Sequence, residues 1–412
     1  MKSKISKKIS SFLIVVLLIG MSFVSITVYA KNFKNNFSEK DMNLQFDIND
    51  EINTLIEKAN IPSISAGIVK NNSLVWYSGY GKYNRLLGLT PSNNTVYMAG
   101  SISKAIATMA LMQLYEDGLF ELDDDISDYL PFPLRNPYHP EVPITFKMLL
   151  SHQSSLPLTD KNQSLYVMMG YFLNIPKLTY PNFKEYLVPG GQAYNKDAWT
   201  DNKPGDAFNY SNVCFMLIEY IFEEISRQDF QKYCKENIFN RLKMYNTSYN
   251  IHDFKRVNRA VPYTQIGKLI VRLPFYKIPT PGAGGLITSI EDLSHFLIAH
   301  MNNGTYEGVR VLNDSTIKLI HKLHYYHELN EIYNFQYGLG WMFINKSGTI
   351  YQGHHGSTFG YQSRMLYRES DKAGVIFFVN KYPGAIYFKN QVSLEEALLQ
   401  IMDLLFLKSE KF

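Results

Sequence analysis

The chain has 412 residues, 46% of them hydrophobic and 19% charged, with 41 Lys and Arg against 37 Asp and Glu. This composition can bury a large core, and 14% aromatic residues exclude a disordered chain. Lys2, Lys4, Lys7 and Lys8 precede every acidic residue, so from residue 31 onward 37 basic residues face 37 acidic ones. The charge balance therefore gives no ground for a nucleic-acid partner.

In chain order, the four lysines lead into an apolar run over 12–24 that closes on Val28-Tyr29-Ala30. That is the pattern of a secretory signal peptide cut near Ala30. The alternative is an uncleaved anchor, because a bilayer takes about 20 apolar residues and 9–29 is barely that long. No cysteine near the cut could carry a lipid. We therefore expect a secreted or cell-surface protein, reaching a membrane only through this segment if it stays. A polar lead-in over 31–46 then precedes a single domain over 47–412.

Helical periodicity marks 47–59. Strands follow over 63–69 and 74–78, joined by a turn at Asn71-Asn72. Apolar residues recur at helical spacing over 101–117, with Gly118 as C-cap. Residues 120–280 are mostly helix and loop, including an apolar helix over 213–225. A glycine-rich turn over 282–287 precedes a helix capped by Ser289, with Asp292 at the third helical position. Strands return over 337–344, 349–352, 362–367 and 374–380, and a last helix covers 394–407. Strands at both ends with helices between predict an α/β (α+β) fold: an antiparallel sheet from both chain ends, flanked by helices, with a mostly helical subdomain inserted over about 120–280.

Cys214 and Cys234 lie in helical runs and do not make a disulfide scaffold. His321, His324 and His327 have helical spacing, read as a surface face, and no Cys/His cluster has zinc-site spacing. Neither a metal nor another cofactor is expected.

Ser-x-x-Lys occurs twice, as Ser101…Lys104 and Ser315…Lys318. By itself the pattern is weak, since a serine there can simply cap a helix. A serine hydroxyl is a poor nucleophile that needs a base. On a helix Lys104 can reach Ser101, three residues away, and the free N–H groups of a helix start suit an oxyanion. Ala99-Gly100 leaves room for a substrate to approach. Farther on, Tyr210-Ser211-Asn212 stands before an apolar helix and His354-His355-Gly356 on a strand. Ser315 has no later Tyr-x-Asn. Tyr180-Pro181-Asn182 is a second Tyr-x-Asn, but its proline disrupts the turn-to-helix setting.

Ser-x-x-Lys, Tyr-x-Asn and a basic residue-x-Gly, in that order, resemble the penicillin-recognising serine enzymes. The chain looks like the serine hydrolases related to class C β-lactamases: D-Ala-D-Ala carboxypeptidases, D-aminopeptidases and small esterases, with the β-lactamase/transpeptidase-like fold. The segments "AGSISKAIATMALMQLYEDGLFELDDDISDYLP", "ITFKMLLSHQSSLP", "PGAGGLITSIEDLSHFL" and "YGLGWMF" resemble further family segments, over roughly 45–405.

The resemblance implies roles. Ser101 would form an acyl-enzyme, with Lys104 in its proton network. Tyr210 would be the general base, its phenol lowered from about 10 by Lys104. Asn212, His354 and Gly356 would line the substrate site, and the N–H groups of Ser101 and Ser357 would form an oxyanion hole. Three positions depart from the usual family pattern. His354 and His355 stand in place of a lysine and a threonine, which predicts weaker recognition of a substrate carboxylate, since histidine titrates near 6.5. Ser155 stands where glycine is usual.

The expected partner is a small-molecule or peptide substrate, a peptidoglycan precursor or a β-lactam among the possibilities. The first reading is a secreted peptidase or amidase on D-amino-acid or cell-wall-type peptides. An esterase on small acyl esters, a β-lactamase and an inactive penicillin-binding or regulatory wall protein are the alternatives.

Overall fold

The computed structural model describes residues 47–156, 183–192, 194–328, 333–383 and 392–412. The leader, the lead-in and Tyr180-Pro181-Asn182 lie outside the described residues. Helix α1 (Ile48–Lys58) starts at Asp47, whose carboxylate accepts from the N–H of Asn49. Strands β1 (Ser63–Lys70) and β2 (Ser73–Gly81) are joined through Asn71 and Asn72. Both asparagines are left-handed, which a tight hairpin requires and asparagine tolerates.

The central helix α2 (Ser103–Glu116) is buried on all sides from Ser103 to Leu114. Its even apolar spacing reflects a helix packed all round rather than an amphipathic one. Helix α3 (Asn212–Ser226) packs beside it, capped by the hydroxyl of Ser211. Among the described residues of the helical insert stands a hairpin, β3 (Tyr263–Ile266) and β4 (Leu269–Arg272). Helix α4 (Ile290–Met301) begins as expected, with Ser289 accepting from the N–H of Asp292.

The C-terminal part adds β5 (Tyr325–Glu328), β6 (Tyr333–Tyr337), β7 (Met342–Lys346), β8 (Thr349–Thr358), β9 (Tyr361–Arg368), β10 (Ala373–Val379) and helix α5 (Leu394–Ser409). The sheet runs β2-β1-β10-β9-β8-β7-β6-β5 and is antiparallel throughout. The first two strands come from the N-terminal part and the rest from the C-terminal part, as the pattern predicted. Helices α1 and α5 cover one face. The other face meets α4 and the main core around α2 and α3. β10 is buried along its whole length between these layers, hence its unbroken apolar run.

Two expectations are corrected. The strand expected over 337–344 is two strands, because Gly338 and Gly340 make a turn; Gly340 is left-handed at φ +59, and a Cβ there would meet the hydroxyl of Thr108 at 1.9 Å. The three histidines share no helix face: the helix before them ends at Ile320, and His327 lies in β5. His321 turns inward to accept or donate between His300 (3.1 Å) and Tyr367 (3.2 Å). Cys214 and Cys234 are separate buried thiols.

Candidate active site

The site forms where the start of α2 meets the edge of α3, the glycine-rich turn and β8. Ser101 sits in a single 3₁₀ turn, Gly100–Ile102, that feeds α2. It is not a cap, since no side chain caps this turn or α2. Its hydroxyl instead accepts from Lys104 Nζ at 3.1 Å.

Lys104 is completely buried, and its ammonium also donates to Asn212 Oδ1 at 2.8 Å and to the carbonyl of Ala283 at 2.7 Å. Burial pushes it down to about 7. Two effects oppose each other here: desolvation disfavours the cation, while three acceptors suit an ammonium. The amine is left poised near neutrality.

Tyr210 is half-buried beside it, its ring 5.1 Å from Lys104 Nζ. The expected lowering of its phenol is reversed. Burial raises Tyr210 well above the ordinary tyrosine value, and a hydrogen bond with Ser101 offsets only part of this. The depressed group is the lysine, and the phenol stays protonated.

Asn212 is the first residue of α3, at the exposed rim of the site. Ser211, not Asn212, caps α3, which leaves the Asn212 amide oxygen for Lys104. The backbone N–H of Ser211 donates to His152 Nδ1 at 3.2 Å. His152 is buried against the rings of Tyr210, Phe215 and Tyr337, and burial holds it neutral.

β8 closes the site. A Cβ on Gly356 would meet the carbonyl of Ala99 at 1.9 Å, so the strand backbone packs directly on the turn that carries Ser101. Gly100 is left-handed at φ +55, and its missing side chain makes room for the backbone of Ser357, whose nitrogen would lie 2.8 Å from a Cβ there. The space at Gly100 is thus filled by β8 rather than left for a substrate. His354 is buried, with Nε2 2.9 Å from the hydroxyl of Tyr337 and Nδ1 2.6 Å from the carbonyl of His355. Burial and the nearby Lys104 push it down to about 3, so it is neutral. His355 lies on the opposite side of the strand, paired across the sheet with Arg364.

Of the predicted residues, the structure brings Ser101, Lys104, Tyr210 and Asn212 into contact, with Gly356 and Ser357 against their turn and His354 one aromatic ring away. Ser315 and Lys318 lie on a separate surface helix. Sequence reasoning missed Ala283, whose contribution is a carbonyl that no side-chain pattern reveals. It also missed Glu219, whose buried carboxylate accepts from the N–H of Gly282 at 2.9 Å and holds the turn that presents Ala283. A signal for Glu219 was available: it is the single charged residue in the apolar run 212–222. Ser103 supports the turn from the other side, donating to the carbonyl of Gly100 and accepting from the N–H of Leu286. Ser155 is left-handed at φ +59, the conformation that explains glycine at this place in the family.

This fold, with a buried lysine on a serine at the head of the central helix, defines the class of serine hydrolases with the β-lactamase/transpeptidase-like architecture. The chain belongs to the Beta-lactamase family, whose pattern it matches over residues 48–394. It is 25% identical over 348 residues to Protein flp of Staphylococcus aureus, covering 81% of this chain and 63% of that one. The chain thus spans less than two thirds of these curated relatives. A penicillin-binding protein homologue from Pyrococcus abyssi has a similar structure, with a TM-score of 0.73 and 23% identity over 88% of this chain and 76% of that one. The D-amino acid amidase of Ochrobactrum anthropi SV3, solved with D-phenylalanine, superposes with a TM-score of 0.67 and 16% identity, covering 88% of this chain and all of that one. At such identities the likeness to the two solved structures speaks for the fold.

Proposed function

We propose that the chain is a secreted or surface-held hydrolase that works through an acyl-enzyme on Ser101, acting on amides of D-amino acids and on short cell-wall-type peptides. The observation that carries this reading is Lys104, fully buried, poised at about 7 and 3.1 Å from the Ser101 hydroxyl. In its neutral form Lys104 takes the proton as Ser101 Oγ attacks the carbonyl carbon. The N–H groups of Ser101 and Ser357 hold the developing oxyanion. Tyr210, kept protonated by burial, hands its proton to the leaving nitrogen and recovers one from the protonated Lys104. Water then attacks the acyl-enzyme along the reverse route, releasing the acid and restoring the Ser101 hydroxyl. The kinship with D-amino acid amidases supports an amide substrate of D configuration.

A second reading, hydrolysis of small acyl esters, is favoured by His354. It is neutral where the family's last motif usually has a lysine, though some peptidases and esterases of the family also carry histidine, so it offers no charge to a substrate carboxylate. Substrates without a free carboxylate beside the scissile bond should be preferred. A turnover screen with D-phenylalanine amide, a short-chain aryl ester, a D-Ala-D-Ala peptide and a cephalosporin tests both readings. The first two should turn over faster than the last two, and His354→Lys should narrow the gap. If no acylating probe, including a fluorescent penicillin, labels the protein and Ser101→Ala changes no activity, the enzyme reading falls and a non-catalytic wall protein takes its place.

A further inference from the structure

The chain beyond its leader is neutral overall, yet its charge is unevenly spread. Segments 82–90 and 254–277 together hold eight Lys and Arg and no Asp or Glu. The fold places these segments side by side. The N–H of Arg85 donates to the hydroxyl of Tyr263 at 3.0 Å, Tyr83 donates to the carbonyl of Val257, and the N–H of Val96 donates to the carbonyl of Asn258. Lys82, Arg85, Lys255, Arg256, Lys268 and Arg272 are all exposed. Asp253 borders the face, but Ser248 and Asn250 engage its carboxylate; Glu57 lies one turn before Asn60, which reaches the carbonyl of Lys268.

Among these cations stand large apolar side chains in water: Leu86 is 80% exposed, Leu269 70%, Leu87 58% and Val257 52%. Leu86 and Leu87 occupy the tip of a tight loop closed by the bridge between Asn84 and Leu89. Scattered exposed leucines need no explanation, but protruding leucines ringed by cations do.

We propose that this face docks on an anionic lipid surface. The leucines at the loop tips enter the headgroup region, and the surrounding lysines and arginines meet the lipid phosphates. Two other occupants fit worse. A second copy meeting face to face would oppose like charges. A soluble polyanion would use the cations but leave the leucines in water. The proposal does not depend on the catalytic reading, because none of these residues belongs to the Ser101 site.

The test must separate this face from the apolar leader, so it reads the face itself in the full chain. Leu86→Trp places an indole at the loop tip, with wild type giving the background of Trp76, Trp199 and Trp341. With phosphatidylglycerol vesicles carrying brominated acyl chains, the added emission should shift blue and be quenched at least twofold. With brominated phosphatidylcholine vesicles it should not change. Adding Arg85→Glu, Lys268→Glu and Arg272→Glu should abolish the quenching, while turnover in solution stays at the parent level. The proposal is overturned if the indole is not quenched by the anionic vesicles, or is quenched equally by both lipids. It is overturned equally if Leu86→Ser with Leu87→Ser leaves binding to soluble polyphosphate as the face's only interaction, or abolishes a self-association seen without lipid.

Discussion

Ser101…Lys104 and Ser315…Lys318 carry the same spacing, and both pairs lie at helix starts, yet they do opposite things. Lys318 is 70% exposed and pairs with Asp314, one turn back on its own helix. Such a pair is worth a few tenths of a kcal/mol. Lys104 is wholly buried and meets the hydroxyl of Ser101 one turn away, and an amide and a carbonyl from two distant parts of the chain. Lys381 separates burial from chemistry. It too is buried and pushed down, to about 8, but among the described residues its ammonium donates to the carbonyl of Ala59 and the amide oxygen of Gln265 and to no hydroxyl. A depressed lysine is thus not by itself a candidate active site; a hydroxyl among its acceptors is what sets Lys104 apart.

The largest effect that could break this contrast is at the first pair. Ser101→Ala and Lys104→Ala should each reduce kcat/KM for an activated ester by ~10³-fold or more, with unchanged far-UV circular dichroism; Lys318→Ala should leave it within about twofold. Next comes pH. If Lys104 accepts the serine proton, kcat/KM should rise about tenfold per unit toward pH 7 and level off above it. A profile flat from pH 5.5 to 8 would assign the proton elsewhere.

Stability is where the two buried lysines should agree. In the unfolded chain both keep their protons up to about 10.4. Between the folded value and that limit the unfolded state therefore binds more protons, and stability grows with pH. Relative to Lys104→Met, wild type should gain up to ~1 kcal/mol per pH unit from about pH 7, and relative to Lys381→Met from about pH 8. Urea midpoints at pH 6.5, 8 and 9.5 measure both, and the comparison with each variant cancels the titration of the cysteines. Lys381→Met should leave turnover unchanged. The smallest effect is expected at Ser155→Gly. Releasing a left-handed serine gains ~1 kcal/mol. Losing its hydrogen bond from Asn136 costs about the same, because that amide still reaches the carbonyls of Thr200 and Asn202. The urea midpoint should move by less than about 1 kcal/mol.

The sheet and its two-ended origin were legible because they rest on local signals: alternation, turn residues and caps such as Asp47 and Ser289. The site was legible to the extent that its side chains sit in ordered motifs. Ser101, Lys104, Tyr210 and Asn212 stood out in that way. Their electrostatics did not, since which of Lys104 and Tyr210 is tuned depends on desolvation by segments far away in sequence. The Ala283 carbonyl comes from 179 residues downstream. The failed strand over 337–344 has a different cause: two glycines break the run, and in a buried apolar context their turn is masked by the flanking Tyr337 and Trp341.

The seam between β1 and β10 pairs Ile64 with Val379. Ser101 and Lys104 are made in the first third of synthesis, whereas Ser357, which closes the site, follows more than 250 residues later. Such distant pairings are slow to form, because loop closure must be met before any contact rewards it. A ribosome-bound chain thus carries Ser101 and Lys104 long before β8 can pack against their turn. The surroundings of Ser101 are complete only when the last strands dock, so topology alone delays assembly of the candidate site.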